Sequence, residues 1–172
     1  MHLQQPMARL IGRLRHGLTP WRRRGVRLWL PPVSRELFLW HEQWEAPEQT
    51  LDELRSRLSE SGVIVTAGGD YDGWDLEARG GLLGGARVLM ATEEHGAGKQ
   101  LLHFSVWPRW SVLGIFPAIA FAAISFGAFS DESVFVGLLS AFATVVLAGR
   151  TIIDSGFATG SVSNAVSQLD RS

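Results

Sequence analysis

Two uncharged apolar runs, separated by two acidic residues, constrain this chain more than any other feature. Ser111 to Ser130 (SVLGIFPAIAFAAISFGAFS) is twenty residues without a charge, the length a helix needs to cross a hydrocarbon core of ~30 Å. Ser133 to Gly149 adds seventeen more and reaches twenty-one at Ile153 if Arg150 extends its guanidinium to the headgroups. Only Asp131 and Glu132 lie between the runs, and so short a link joins antiparallel helices. Neither run has the amphipathic period of a helix lying on a soluble core. Residues 110–153 therefore read as a transmembrane helical hairpin rather than as buried helices of a globular protein. Pro117 falls one turn into the first span, where a bend is tolerated. The small residues Gly114, Ala118 and Ala122, with Gly137 and Ala141, allow close contact between the spans, or between copies of the chain in a homo-oligomer.

Charge orients the hairpin. Arg109 precedes the first span, Arg150 closes the second, and the link is purely acidic. Basic flanks face the cytoplasm, which places both termini and residues 34–109 on the cytoplasmic side of the inner (plasma) membrane. The first thirty residues lack the apolar core and cleavage site of a secretory signal, so the hairpin itself is the membrane address. A formal net charge of −1 conceals an asymmetry: seven Arg and no carboxylate lie between Arg9 and Arg27. The absence of cysteine excludes a disulfide scaffold, a thiolate metal site and a thiol nucleophile.

In chain order, residues 1–33 form a basic arm. Met7, Leu10, Ile11, Leu14 and Leu18 repeat at helical spacing opposite Arg9, Arg13, Arg15 and His16, up to Gly17 and Pro20. Trp21, Arg22, Arg23 and Arg24 then combine an indole with a basic run, a composition suited to an anionic bilayer surface. Nucleic acid is not expected there, because base-stacking modules spread their aromatics over a platform. Leu30-Pro-Pro-Val33 is an extended connector.

Residues 34–109 form a soluble α+β domain. Arg35–Trp44 reads as a strand with Phe38, Trp40 and Trp44 on one face and Leu37 and Leu39 on the other, which suggests a central position. Thr50-Leu-Asp-Glu53 fits a capping box opening a helix with Leu51, Leu54 and Leu58 inward and an end near Gly62. Val63–Thr66 follows with a buried-strand pattern, and strand-helix-strand implies a right-handed crossover between parallel strands. Trp74–Arg79, Ala86–Glu94 and Gln100–Trp107 form an antiparallel meander. The expectation is a small mixed sheet of about five strands, in the order β-α-β-β-β, followed by the hairpin. One helix cannot cover both faces of such a sheet. The face carrying Phe38, Trp40 and Trp44 is therefore the candidate partner-binding surface. Trp107, Arg109 and Trp110, where the last strand meets the first span, join Arg150 and the arm's Trp21–Arg24 as membrane-interface residues. Residues 154–172 are a tail in which Phe157, Val162, Ala165, Val166 and Leu169 suit an amphipathic helix that Gly156 and Gly160 oppose.

Candidate chemistry is sparse. Asp70-x-Asp72-x-x-Asp75 offers oxygen ligands for a divalent cation, as in many nucleotide-sugar enzymes, but reads first as a turn among Gly68, Gly69 and Gly73. The calcium-loop pattern fails, since Gly81 stands where its twelfth-position glutamate belongs. Gly96-Ala-Gly-Lys99 lacks the flanking residues of a phosphate loop. Glu93, Glu94 and His95 alternate across a strand and do not converge, and His41 and His103 could meet across the sheet but make only half a metal site. No cofactor and no catalytic residue is expected.

The block Gly69-Asp-Tyr-Asp-Gly-Trp-Asp-Leu-Glu-Ala-Arg-Gly-Gly-Leu-Leu-Gly-Gly-Ala-Arg87, followed by Glu93-Glu-His-Gly-Ala-Gly-Lys99 and two spans, resembles the non-catalytic C-terminal membrane segment of some bacterial glycosyltransferases and polysaccharide-exporter proteins. Thr19-Pro-Trp-Arg-Arg-Arg-Gly25 is similar too. The resemblance implies an anchoring or coupling role in envelope glycan synthesis or export; the large catalytic or ATP-binding domain of those proteins is missing here, so no enzymatic activity carries over. The leading expectation is a membrane-anchored accessory domain that docks or regulates a protein partner at the cytoplasmic face. Two alternatives stand beside it: a metal-assisted enzyme using Asp70, Asp72 and Asp75 on a phosphorylated or lipid-linked substrate, and a small-ligand sensor with a pocket between helix and sheet.

Overall fold

A computed structural model describes residues 28–69 and 71–170. The first strand, β1 (Arg35–His41), is followed by helix α1 (Pro47–Glu60). Pro47 occupies the first turn, where its fixed φ suits a helix and its missing N–H costs nothing. The helix thus opens one turn before the expected capping box. Thr50 is buried inside it, and Glu53 accepts a hydrogen bond from Arg57 Nε at 3.0 Å instead of reaching back to an amide. Gly62, at φ +81°, closes the helix: its N–H reaches Ser59 O, and that of Val63 reaches Leu58 O.

Four strands follow: β2 (Ile64–Ala67), β3 (Leu76–Arg79), β4 (Gly84–Glu94) and β5 (Gln100–Trp110). The sheet order is β1-β5-β4-β3-β2. The α+β class holds, and so does the number of strands, five. The pairing differs: among the described residues every pair of neighbouring strands is antiparallel, so the sheet is not mixed. β1 and β2 do run in the same direction, but at opposite edges. Successive antiparallel hairpins build β2 to β5 outward, and β5 then docks on β1, so α1 crosses the full width of the sheet. Both strands expected to be central or buried are consequently edges, with Phe38, Trp40 and Ile64 exposed.

One face of the sheet is closed. Leu39, Leu76, Ala78, Ala86, Val88, Leu102, Phe104 and Val106 point into a core capped by Leu54 and Leu58 of α1. The rest of the lid is Ala158, Val162, Ala165, Val166 and Leu169. Those residues belong to a helix that does not stop at the expected boundary of 153.

Helix α2 (Val112–Ser130) and helix α3 (Val134–Leu169) are both long and apolar enough to cross a membrane. At 36 residues, α3 is about 54 Å long, roughly twice what the hairpin requires. Its two halves meet different surroundings. Up to Arg150 only Gly137 and Ser140 are buried, whereas from Thr151 to Leu169 twelve residues are. The tail is therefore the same rod continued into the soluble core. Along the α2–α3 seam Ser125 Oγ donates to Gly137 O at 2.9 Å and Thr144 Oγ1 to Ala118 O at 3.5 Å. Ala122 is exposed; Ser125 rather than Ala122 extends the small-residue line begun by Gly114 and Ala118.

Candidate functional site

Three features of the described residues are built well enough to carry chemistry: the joint between hairpin and sheet, a charged cluster beside it, and an aromatic patch farther out. The joint is made of glycines. At Gly80 a Cβ would overlap the backbone of Asp154, at Gly81 the carboxylate of Asp154, and at Gly84 the Ser155 hydroxyl. Across the other side of α3, Gly156 and Gly160 lie so close to residues 28–30 that a Cβ would overlap Trp29 and the Leu28 carbonyl. Leu30 N donates to Gly156 O at 3.2 Å. The two glycines that oppose a helix by propensity are there because a second backbone crosses them. Asp154 is fully buried, accepts from Leu83 N at 3.3 Å and lies 3.4 Å from Arg150 Nε. Arg150, expected at the headgroups, thus also neutralises this carboxylate. Ser111 N donates to Leu83 O, tying the start of α2 to the same loop.

The outer sheet face beside this joint carries Glu77. Its side chain is only 6% exposed, with Arg87 Nε and Arg109 Nε both 3.2 Å from Oε2 and Arg79 Nε 3.9 Å from Oε1. Pairing aligns the residues in two rows: Glu77, Arg87 and Trp107 across β3, β4 and β5, then Arg79, Gly85 and Arg109 one step nearer α2. The Arg87 guanidinium also sits over the Trp74 ring at 5.0 Å. A buried carboxylate demands charged partners, which is why three arginines converge here. Only the register of three strands brings the arginines around it.

Farther from the joint the same face is aromatic. Phe38 is 53% exposed and Trp40 41%, with Trp44, at 58%, just beyond the end of β1. The His103 ring packs edge-on to Phe38 at 4.7 Å and the His95 ring to Trp40 at 5.3 Å. His103 lies 3.6 Å from Glu93, while His41 faces Gln100 on the inner side and pairs with Glu45 at 3.3 Å. The two histidines therefore do not meet. Trp40 Nε1 donates to Glu42 Oε1 at 3.1 Å, and Lys99 Nζ lies 3.2 Å from Oε2. The indole bond first, and Lys99 second, hold the Glu42 carboxyl below its ordinary range. A lowered carboxyl contributes to stability above its unfolded pKa, and that contribution is lost as pH falls through the folded value. The Trp40 indole N–H resonance, assigned with Trp40→Phe, is expected to titrate with a midpoint below that of an ordinary glutamate, and to stop titrating there in Glu42→Gln.

The acidic turn sits elsewhere. Asp72 Oδ2 accepts from Gly69 N at 2.8 Å and Asp75 Oδ2 from Met90 N at 2.7 Å, so each carboxylate serves a backbone amide. Asp70 lies outside the described residues, and no acidic or histidine cluster able to hold a metal occurs among those described. The arm's Trp21, Arg22, Arg23 and Arg24, and its amphipathic stretch, also lie outside them. A polar groove of about 460 Å³ runs between α1 and α3, lined by Glu53, Arg57, Asn164 and Gln168 among others; it lies between two helices, not between helix and sheet. Comparison with protein-family models, curated proteins and solved structures finds no match.

Proposed function

We propose that this chain is a membrane-anchored accessory domain that docks or regulates a protein partner at the cytoplasmic face. The observation carrying the reading is the asymmetry of the sheet. Its inner face is sealed by α1 and α3, whereas its outer face offers Phe38 and Trp40 to solvent, with Trp44 beside them. Exposed aromatics around a polar rim are the composition of a binding surface. The hairpin supplies the location: its Phe126 and Phe135 are each 79% exposed, which water tolerates poorly and a bilayer accepts. Because α3 ends on the sheet, its C-terminal part and the domain share one side of the hairpin, and the basic flanks Arg109 and Arg150 support a cytoplasmic location for that side. The resemblance of the Gly69–Arg87 block to the membrane segments of glycan-assembly proteins supports envelope polysaccharide synthesis or export as the setting of that partner.

A photo-crosslinking residue at Trp40 tests the docking surface, with one at the solvent side of α1, Arg55, as control. The expected result is a discrete protein adduct from Trp40 in native membranes, absent from Arg55 and lost in Phe38→Glu. Equal labelling from both positions would sink the reading. Phe38→Glu is expected to change stability by less than about 1 kcal/mol, since an exposed edge position carries little of the core.

A further inference from the structure

We infer that the arginine cluster around Glu77 binds the phosphate of an anionic phospholipid headgroup in the leaflet beneath the sheet. The inference goes beyond partner docking and rests only on the hairpin's residence in a bilayer. Three guanidinium groups face one carboxylate, which leaves an excess of two positive charges at one spot on the surface. All three turn Nε toward Glu77, so the carboxylate gathers them at one spot, and their side chains remain 52%, 34% and 35% exposed at Arg79, Arg87 and Arg109. Guanidinium forks of this kind suit phosphate oxygens.

Position selects the ligand. Arg109 is followed by Trp110 and Ser111, and α2 begins at Val112, so the row of Arg79, Gly85 and Arg109 stands within about three residues, on the order of 10 Å, of the first span. Between Arg79 and Arg109 the pairing places Gly85. Gly85 adds no side chain of its own between the two arginines and is itself buried. Trp107, in the row behind, brings an indole to the depth such rings favour at headgroup level. A free anion would meet the same charges, but only a lipid phosphate is held at this height by the chain's own anchorage.

The test uses the full chain in nanodiscs of phosphatidylcholine with and without phosphatidylglycerol, with co-purifying lipid counted by native mass spectrometry after transfer to non-ionic detergent. The wild type is expected to retain phosphatidylglycerol in preference to phosphatidylcholine. Arg79→Gln, the most exposed and most distant of the three from Glu77, is expected to lower that retention about fivefold, and Arg79→Gln with Arg109→Gln on the order of twentyfold. Phe38→Glu is expected to leave lipid retention unchanged, so failure of the docking surface and failure of the lipid site are separable. Equal retention of both lipids, or phosphatidylglycerol retention indifferent to Arg79→Gln, overturns the inference. Displacement of phosphatidylglycerol by millimolar inorganic phosphate overturns it too, by making the cluster a site for free anions.

Discussion

A chain shortened to end at Ile153 is expected to remain in the membrane fraction and lose its sheet. The shortened chain keeps both apolar runs intact, so alkaline carbonate should not extract it. It loses Ala158, Val162, Ala165, Val166 and Leu169, which cover the inner face over β4 and β5. Burial of a Val or Leu side chain is worth about 2 kcal/mol. Val162, Val166 and Leu169 together then approach the whole stability of an ordinary domain, ~5–15 kcal/mol, and the uncovered Phe104 and Leu102 add to the loss. The expected readout is rapid tryptic cleavage at Arg79 and Arg87, protected in the full chain, together with loss of β signal in circular dichroism. A protease-resistant sheet in the shortened chain would show that the end of α3 is not part of the core.

The second large effect is expected from Gly80→Leu. A side chain there would be driven into the backbone of α3 at Asp154 and Ala158, and neither helix nor strand can yield without opening the core. Overpacking against fixed backbone costs about 3 kcal/mol or more, so the thermal midpoint in detergent should fall by roughly 10 °C or more. Gly73→Ala is the matched control: nothing lies within 4 Å of a Cβ at that position, and its effect should be under about 0.5 kcal/mol. Similar midpoints for both variants would mean that the sheet and α3 are not in the close contact described.

Much of the local structure was legible in the residues. Alternation marked the strands of the meander, Gly62 marked the end of α1, and the uncharged lengths marked two helices joined at Asp131 and Glu132. Phe38 and Trp40 were correctly assigned to a face opposite Leu37 and Leu39, because period two is a property of the strand alone. The central position that two apolar faces imply does not hold, because β1 is an edge strand. Whether a strand with two apolar faces is an interior strand or an edge awaiting a partner depends on which neighbours arrive, and β5 arrives from sixty residues downstream. The Glu77 cluster was missed for the same reason: its members come from three strands and meet only through register.

The hairpin shows the division most clearly. Length and absence of charge determine two helices that can cross a bilayer, since those properties follow from each segment's own side chains. Where the second helix ends was not written locally, because Gly156 and Gly160 lower helix propensity and Arg150 looks like a terminus. Tertiary contact decided it: the crossing backbone of residues 28–30 needs those glycines, buried Asp154 takes Arg150 as its partner, and the sheet needs the apolar stripe beyond them. One continuous helix thereby joins the apolar hairpin to the core of the sheet. It fixes the exposed aromatic face and the arginine cluster in position relative to that hairpin.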